Sequence, residues 1–338
     1  MLVALPTARI VVIVLNWNGT AVLPACLHAL RAQTGVEFAA LIVDNGSDDG
    51  SREMAQHAYP DMHLLALPHN LGFAAGNNAG IELVWRENPA VEFIALLNND
   101  TCAQPSWLAA LLTALTDRPD AGMAASKILQ WDGQLPPATI DTAGDLFYTY
   151  GLAGKRGTGA PAHAYTTPDD VFGACPAAAL YRVTLLRQIG LFDPLFFAYN
   201  EDVDLAFRAQ LMGWHCAYVP SAVVWHRVSF SAQRLSDRSV LWTKRNTLWV
   251  LVKNMPALLL LWYAPRIVLH FVLSDLAWIL RGRGAPVLRG RGQALCGLRA
   301  MLRQRARIQA TRLLSCRELR TRFSRPSSDY LRQRTVLR

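Results

Sequence analysis

The sequence predicts an α/β fold built on a parallel, doubly wound sheet. Short runs of branched apolar residues recur through residues 10–101, each run ends in a polar loop, and segments of helical length lie between the runs. Strands that alternate with helices in this way form parallel sheets, and such sheets bind ligands at the carboxyl ends of their strands. We therefore expect the polar loops to meet at one edge of the sheet.

Four strands and three helices are predicted in this part of the chain. The apolar run IVVIVL is followed by the polar NWNG, and the later runs end in DNGSDDGS, HNLGFAAGNNAG and NNDT. Asn, Asp and Gly tolerate tight turns, so each loop marks a strand end. The predicted strands are 10–15, 41–43, 63–67 and 93–97, and the predicted helices are 21–33, 51–59 and 73–86.

A further feature is the acidic segment YNEDVDLAFR at 199–208, which contains Glu201, Asp202 and Asp204. Asn200 is a preferred N-cap residue, and acids in the first turn are favoured by the helix dipole. The pattern therefore predicts a helix that begins after Asn200. An acidic first turn is common in ordinary helices, but carboxylates that face a cleft can also accept a proton from a substrate.

Composition allows one large domain with an appendage, since the chain has 338 residues and 52% of them are hydrophobic. The net charge is +9, yet residues 281–338 alone carry +14, with 16 arginines, and the rest carries −5. The six cysteines show no CxxC spacing, which predicts reduced thiols. Only Arg9 precedes the first apolar run, which is too short for a signal peptide, so we interpret that run as a strand.

Six motifs, in order, resemble those of one enzyme family. They are VVIVLNWNG at 11–19, LIVDNGSDDGS at 41–51, NLGFAAGNNAGI at 70–81, LLNNDT at 96–101, FFAYNEDVDLAFR at 196–208 and VVWHRVSFS at 223–231. Their order and spacing resemble the family 2 glycosyltransferases of GT-A fold, within them the rhamnosyltransferase-like branch of bacterial surface polysaccharide synthesis. The resemblance implies a Rossmann-like mixed sheet and a catalytic domain at 1–235.

The resemblance also implies which residues bind the nucleotide-sugar donor. Asp44 corresponds to the carboxylate that the family uses for the pyrimidine ring, and Asn16 ends the first strand against the nucleotide. Both are also ordinary turn residues. The glycine-rich segment after His69 could let backbone amides approach a diphosphate, although it contains neither GxGxxG nor a P-loop lysine. The expected donor-binding residues are Asn16, Asp44, Asn70, Asn78, Asn98 and Asn99.

A divalent cation is implied at LLNNDT, which occupies the position of the family's DxD motif. Here Asn98 replaces the first acid, so Asp100 is the only carboxylate of the triplet. One carboxylate with donor phosphates and waters suits Mg²⁺, whereas Mn²⁺ would tolerate an added imidazole. His226 corresponds to a histidine that joins the metal site in several family members. A histidine at the end of an apolar strand is equally compatible with a structural role.

Catalysis by inversion requires a base as well as a cation. The family assigns the base to the second acid of the pair, here Asp202, and Glu201 would bind or orient the acceptor. Asp204 is expected to be structural, because it lies off that helix face. The implied donor is dTDP-L-rhamnose, with another UDP- or GDP-sugar as the alternative, and the implied acceptor is a lipid-linked saccharide.

The segment 236–338 is predicted to associate with a membrane. Residues 236–254 form an amphipathic pattern with Lys244 and Lys253 off the apolar stripe. The longest uncharged run that follows, 255–265, has 11 residues, fewer than the roughly 18 of a span. We expect interfacial helices at the cytoplasmic face of the bacterial inner membrane, with an arginine tail on anionic lipid and Trp262, Tyr263 and Trp278 at headgroup depth. The alternative is an appendage packed on the catalytic domain.

Two other functional classes were weighed. The sequence pI near 9.5 and the arginine tail fit a nucleic-acid-binding protein, but aromatic residues are sparse in the tail and no recognition motif is present, so we expect no nucleic-acid partner. Asn98 makes a catalytically silent nucleotide-sugar binder conceivable. The presence of Asp100, Asp202 and His226 favours an enzyme instead.

Overall fold

A mixed ten-stranded sheet forms the centre of the computed structural model, which describes residues 7–131, 136–227 and 236–324. The strand order is β10-β12-β6-β11-β4-β1-β2-β3, with β5 paired to β12 and β7 paired to β6, while β8 and β9 form a separate hairpin. The strands are β1 Ile10–Asn16, β2 Ala39–Asp44, β3 His63–Ala66, β4 Phe93–Asn98, β5 Thr101–Ala103, β6 Ala121–Gln130, β7 Thr139–Thr142, β8 Asp145–Phe147, β9 Ala153–Lys155, β10 Asp169–Val171, β11 Ala178–Arg182 and β12 His215–His226.

Helices cover both faces of this sheet. A 3₁₀ turn at Pro194–Phe196 and a π-helical segment at Ile279–Arg283 complete the helical structure of the described residues. The helices are α1 Leu23–Arg31, α2 Ser51–Ala58, α3 Gly72–Glu87, α4 Trp107–Asp117, α5 Val183–Ile189, α6 Glu201–Leu211, α7 Asp237–Asn254, α8 Ala257–Trp278, α9 Gly284–Cys296, α10 Leu298–Thr311 and α11 Cys316–Thr321.

The parallel order predicted for the first four strands is present. β1 pairs in parallel with β2 and β4, and β2 pairs in parallel with β3. The apolar run of β1 is continuous because its two faces are both buried: Val11 and Ile13 pack into one core, and Val12 and Val14 into the other. β11 runs antiparallel to both β4 and β6, which makes the sheet mixed, as the resemblance implies.

Glycines of α3 let this helix lie directly on the sheet. A Cβ added at Gly80 would lie 2.8 Å from a Val43 methyl carbon, and one at Gly76 would lie 2.8 Å from a Leu15 methyl carbon. These are closer than real Cβ contacts, so helix-sheet packing accounts for both glycines. The structure thus gives the glycine-rich segment a packing function, in addition to the phosphate approach that the sequence suggested.

The region from 236 onward packs extensively on the rest of the molecule. Residues of α7, α8, α10 and α11 contribute to the same core as β1 and α6, and Phe323 packs on Phe147, Phe172 and Phe207. Ser236 caps α7 by accepting a hydrogen bond from the Ser239 amide. The C-terminal helices therefore pack on the catalytic part of the chain, which was the alternative prediction for this region.

The amphipathic pattern of α7 was only partly correct. Lys244 and Lys253, placed off the apolar stripe by the sequence, are 7% and 2% exposed. Each lysine is buried because an acid from another element neutralises it: Asp275 contacts Lys244, and Asp193 contacts Lys253. Helical periodicity cannot report such long-range partners.

The arginine tail differs from the prediction in the same way. Arg291 pairs with Asp275, Arg305 donates to the carbonyls of Val252 and Met255, and Arg322 donates to the Trp214 carbonyl. These arginines therefore hold helices together, and lipid is not needed to explain them. Residues 325–338, with four more arginines of the tail, lie outside the described residues, as does the end of the VVWHRVSFS motif at 228–231.

Helix α8 presents a long exposed apolar face. Within the described residues, the helical stretch Ala257–Cys296 is long and apolar enough to cross a membrane by length and composition, so the expectation of no segment of spanning length was wrong. Pro265 lies inside α8 and does not interrupt the helix. Tyr263, expected at headgroup depth, is instead buried 6.4 Å from the Phe323 ring, whereas Trp262 is exposed.

Candidate active site

Asn16 is the centre of a buried hydrogen-bond network at the carboxyl ends of β1, β2 and β4. Its amide nitrogen donates to the Asp44 carboxylate at 3.1 Å and to the Ser51 hydroxyl at 2.9 Å, and its oxygen accepts from the Asn99 amide at 2.8 Å. Asn16 and Asp44 are both fully buried. The three loops that were expected to meet at one edge of the sheet are joined there through one side chain.

Asp44 has internal donors on both carboxylate oxygens. Besides Asn16, it accepts a hydrogen bond from the Ser47 backbone amide at 3.1 Å, a contact typical of Asx turns. Each oxygen keeps further lone-pair capacity for a ligand. Asn98 is half-buried at the end of β4, and its carbonyl oxygen accepts the Thr101 hydroxyl at 2.6 Å. Contact of Asp44, Asn98 and Asn99 with a nucleotide sugar stays a prediction.

The two asparagines expected near the donor diphosphate make structural contacts. The Asn70 side-chain oxygen accepts from the Gly72 amide at 2.8 Å and from the Asn45 side chain at 3.1 Å, which closes the turn before α3. The Asn78 amide donates to the Phe192 carbonyl at 2.7 Å and accepts from the Phe192 amide at 3.1 Å. Both contacts favour a role in holding loops, and Asn78 in particular has its donor and acceptor used within the protein.

Asp100 and His226 meet because β5 pairs antiparallel with β12. The pairing places His226 opposite Thr101, and His226 Nε2 lies 3.3 Å from Asp100 Oδ1. Ligands in neighbouring positions on a Mg²⁺ ion are about 3 Å apart, given metal-oxygen distances near 2.1 Å. The pair therefore has the chemistry and spacing of two ligands of one cation. Within the described ranges no group of three or more His, Cys, Asp or Glu residues adds to it, so the other ligands would be donor phosphates and waters.

Asp141, on β7, binds the other nitrogen of the same imidazole. His226 Nδ1 lies 3.2 Å from Asp141 Oδ2, and both side chains are buried. A carboxylate behind a histidine fixes the ring orientation and is the usual second partner of a metal-binding histidine. Burial opposes the charged imidazole, but the hydrogen bonds and charges of Asp100 and Asp141 outweigh it and raise the pKa of His226 to about 9.

Lys155, on β9, connects this pair to the acids of α6. Its ammonium lies 2.8 Å from Asp141 Oδ1, and its charge opposes the rise that burial causes in the pKa of the Asp202 carboxyl. Burial disfavours the charged form of Lys155, but the charge of Asp141 outweighs it, so the lysine pKa is raised above its ordinary value. Asp141 and Lys155 were not among the predicted site residues, because they lie in a segment rich in Gly and Pro that contains none of the six motifs.

The charge of Asp202, in the first turn of α6, acts on two other acids, Glu201 beside it and Asp145 on β8. Burial raises the pKa of Asp202, and burial together with the Asp202 charge raises that of Glu201 well above its ordinary value. Asp145, at the start of β8, behaves in the same way, with burial as the main cause and Asp202 as the next. Glu201 is 5% exposed, and its Oε2 has no hydrogen-bond partner among the described residues. A buried carboxylate oxygen without a donor is costly, and a ligand hydroxyl would satisfy it.

The backbone before α6 is strained and held by α7. Phe197, Tyr199 and Asn200 all have left-handed backbone angles, with φ of 64°, 69° and 64°. Asn200 occupies the N-cap position, as predicted, but in this conformation its side chain makes no cap. The buried amide of Asn246 donates to the carbonyls of Phe196, Ala198 and Tyr199 at 3.0, 2.9 and 2.6 Å. The Asn246 side chain thus holds in place the loop that precedes Glu201 and Asp202.

Asp204 has structural contacts, which supports the role expected for it. It is completely buried, pairs with Arg208 at 3.0 Å and with Lys253 at 2.9 Å, and accepts from the Asn254 amide at 2.8 Å. Burial alone would raise its pKa, but Lys253 and Arg208 reverse the effect and lower it. Asp204 therefore ties α6 to α7 and faces away from the other acids.

This fold and site define a glycosyltransferase of GT-A type. The sequence profile of glycosyl transferase family 2 matches residues 11–190, which is more than half of the chain, and the chain belongs to that family. The family implies a nucleotide-sugar donor and a saccharide acceptor. An N-acetylglucosaminyl-diphospho-decaprenol L-rhamnosyltransferase of Mycobacterium tuberculosis is 30% identical over 227 residues, covering 62% of this chain and 72% of that enzyme.

Solved structures show the same fold at lower identity. A mannosyltransferase from Pyrobaculum calidifontis, in complex with GDP-Man and Mn²⁺, superposes with a TM-score of 0.50 at 17% identity, covering 90% of this chain and 87% of that one. GalNAc-T7 with UDP, GalNAc and Mn²⁺ gives a TM-score of 0.52 at 13% identity and covers 73% of this chain, which spans about half (48%) of that structure's length.

Proposed function

We propose that this protein is an inverting, divalent-cation-dependent glycosyltransferase that transfers L-rhamnose from dTDP-L-rhamnose to a lipid-linked saccharide. The observation that carries the proposal is the connection between the expected cation ligands and the acids of α6. Asp100 and His226 are joined through Asp141 and Lys155 to the acids at the start of α6. Cation ligands and a buried base in one cleft are the two elements that such a transfer needs.

The Asp100 carboxylate and the His226 imidazole would hold Mg²⁺ or Mn²⁺. When bound, the ion would supply positive charge next to the diphosphate that leaves with the nucleotide. Asp141 keeps the His226 ring oriented for this task, and Lys155 keeps Asp141 ionised, because burial would otherwise raise the pKa of that carboxyl and the lysine charge holds it below its ordinary value. Two solved structures of the same fold contain Mn²⁺ together with a nucleotide or a nucleotide sugar, which supports a divalent cation as a cofactor.

Asp202 is the proposed base. An acceptor hydroxyl that attacks the anomeric carbon from the side opposite the nucleotide inverts that centre and must lose its proton, and Asp202 would accept it. Burial raises the pKa of Asp202, which makes it a stronger base than an exposed aspartate. The unpartnered Oε2 of Glu201 would accept a hydrogen bond from a second acceptor hydroxyl and so orient the acceptor.

The choice of rhamnose and of a lipid-linked acceptor rests on the Mycobacterium tuberculosis relative. The exposed apolar face of α8 supports a position at the cytoplasmic face of the inner membrane, where such an acceptor would be met. A transferase that uses another UDP- or GDP-sugar is the alternative, and it requires only a different pocket around the sugar ring.

A donor screen tests the proposal. Purified full-length protein would be incubated with single nucleotide sugars and Mg²⁺ or Mn²⁺, and nucleotide release and sugar transfer would be measured. Release should be fastest with dTDP-L-rhamnose. Asp202→Asn should retain donor binding while lowering transfer about 10²- to 10⁴-fold, the usual contribution of a positioned base. Asp117→Asn is the matched control, because this aspartate is exposed at the end of α4.

Two results would contradict the proposal. If every nucleotide sugar binds and none turns over, the protein is a silent binder. If Asp202→Asn transfers sugar as fast as wild type, the base lies elsewhere among the acids of the cleft.

A further inference from the structure

A cavity of about 950 Å³ lies outside the candidate active site, between α8, the turn of the β8–β9 hairpin and α11. Its wall is mainly aromatic and aliphatic, and it includes Tyr150, Trp262 and Leu273. Two arginines, Arg266 on α8 and Arg320 on α11, also line it, and no acidic residue among those that the structure describes does so. The cavity therefore combines an apolar lining with an excess of positive charge.

The two arginines are available to a ligand. Both are exposed, and neither guanidinium has an ion-pair or hydrogen-bond partner among the described residues. Other arginines of the C-terminal region are used internally: Arg291 binds Asp275, and Arg322 binds Gln210. Guanidinium groups bind phosphate oxygens through paired hydrogen bonds, so two of them in an apolar cavity suit a diphosphate attached to a hydrocarbon.

The cavity is continuous with the exposed face of α8. Leu269 and Leu273 belong to both the cavity wall and that face, on which Val268, Val272 and Leu276 are also exposed. A hydrocarbon chain could leave the cavity along these residues without crossing polar surface. A contiguous apolar surface of this kind marks a binding site for a lipid or a protein, and the arginine pair favours an anionic lipid.

The β8–β9 hairpin links the cavity to the candidate active site. At its open end Asp145 pairs in register with Lys155, next to the acids of α6, and at its turn Thr149 and Tyr150 line the cavity. Asp145 and Tyr150 are five steps apart along the chain, so their Cα atoms are at most about 18 Å apart. This is the scale of one or two sugar rings and a diphosphate, so an acceptor held by its diphosphate in the cavity could extend its sugar toward Asp202.

We propose that this cavity binds the diphosphate and the first isoprene units of a polyprenyl-diphosphate-linked acceptor. Arg266 and Arg320 bind the diphosphate, and the apolar face of α8 guides the isoprenoid chain. The proposal rests on the proposed function for its acceptor class, but the cavity, its charges and its distance from the acids are independent of the donor sugar.

Binding of farnesyl diphosphate to the full-length protein in detergent micelles tests the proposal. The double variant Arg266→Ala/Arg320→Ala should bind farnesyl diphosphate at least about tenfold more weakly than wild type. The control Arg303→Ala/Arg307→Ala removes the same charge from exposed positions of α10 that do not line the cavity, and should change affinity less than twofold. The charge-preserving Arg266→Lys/Arg320→Lys variant should retain most of the affinity.

Competition identifies the chemistry that is bound. Inorganic diphosphate and farnesol should each displace the probe only weakly, because each offers half of the contacts. Equal competition by inorganic diphosphate would show a site for free phosphate compounds, and equal competition by farnesol would show a purely apolar site; either result overturns the proposal. Unchanged binding in the Arg266→Ala/Arg320→Ala variant overturns it as well.

Donor hydrolysis separates this inference from the proposed function. The cavity variants should release nucleotide from dTDP-L-rhamnose at the wild-type rate while transferring sugar to a lipid-linked acceptor with a raised KM. If wild type releases no nucleotide from any donor, the proposed function fails. If release is normal but the Arg266→Ala/Arg320→Ala variant shows no rise in KM, only the cavity assignment fails.

Discussion

Replacing Asn246 should lower both the stability of the protein and the rate of sugar transfer, because this residue of α7 holds the loop that precedes Glu201 and Asp202. Asn246 is fully buried on α7, and its amide donates to three loop carbonyls, those of Phe196, Ala198 and Tyr199. That loop holds Phe197, Tyr199 and Asn200 in left-handed conformations immediately before Glu201 and Asp202. The amide therefore maintains a strained conformation that positions the acids.

The contacts set the size of the effect. The two amide protons of Asn246 are shared among three carbonyls, and a lost hydrogen bond with a buried unsatisfied group costs about 1–3 kcal/mol. Asn246→Ala should thus lower the free energy of unfolding by about 2–4 kcal/mol. A residue held in a left-handed conformation costs about 1–3 kcal/mol, so without the Asn246 amide the loop should relax to a conformation of lower energy. Asp202 would then move away from the acceptor. Transfer should fall by about 10² or more, since small misplacements of a catalytic group have effects of that size.

Urea unfolding and sugar transfer should be measured on the same preparations. Thr247→Ala is the matched control, because the Thr247 hydroxyl contacts only the Thr243 carbonyl of its own helix; it should change stability by less than about 0.5 kcal/mol and leave transfer unchanged. Asn246→Asp has the same shape but cannot donate, and should resemble the alanine variant. An Asn246→Ala protein with wild-type stability and transfer would refute the reasoning, because the loop would then hold its conformation without the amide.

Four further predictions follow from the same contacts. Lys253→Met should lower the unfolding free energy by about 3–5 kcal/mol, as expected when a buried ion pair loses one partner. Adding Asp193→Asn to this variant should recover part of the lost stability. The control is Arg52→Met, which breaks an exposed ion pair, and an equally small loss of stability in Lys253→Met would contradict the prediction. Glu201→Gln should raise the melting temperature at pH 7, because the raised pKa of Glu201 means that ionising this carboxyl costs stability. The gain should disappear below about pH 4, where the wild-type carboxyl is neutral in both the folded and the unfolded state. An equal gain in melting temperature at pH 3 would point to another cause. EDTA should abolish sugar transfer, and added Mg²⁺ or Mn²⁺ should restore it. The transfer rate of Asp100→Ala should fall at least about a hundredfold, and that of His226→Ala should fall less. Undiminished turnover in EDTA would exclude a role for the cation. Alkaline carbonate or high salt should release a large part of the protein from membranes, and complete retention in carbonate would mean that the apolar stretch Ala257–Cys296 spans the bilayer.

Much of the catalytic domain could be predicted from the local sequence pattern. β1 reads as a strand because a parallel strand buried on both faces is apolar at every position, as Val11 to Val14 are. The polar loops that follow β1, β2 and β4 were placed at one edge by the parallel-sheet rule, and Asn16 connects them there. The resemblance to family 2 placed the metal and base assignments on Asp100, His226 and Asp202, which Asp141 and Lys155 link in the structure; their catalytic roles stay predictions.

The segment 139–155 was not legible in this way. Asp141 contacts His226 from 85 positions away, and Lys155 reaches Asp202 only because the β8–β9 hairpin folds over α6. Neither residue lies in a recognisable motif, and their neighbours are the glycines and threonines of ordinary turns. A short strand at the edge of a site carries little hydrophobic pattern, so it left no signal to detect.

What the sequence alone determined about this protein is its family, its first four strands and the polar residues at their ends, because strand periodicity, turn chemistry and ordered motifs are local properties of a chain. The tertiary structure alone decided which polar side chains are paired in the interior. Lys253 and Asn246 belong to a helix whose pattern placed polar residues outside, yet they are buried because their partners lie 47–60 positions away in the sequence. These partners are Asp193 and Asp204 for Lys253, and the carbonyls before α6 for Asn246. The cost of burying a charge or an amide is offset only by such partners, and partners that distant meet only when the chain has folded.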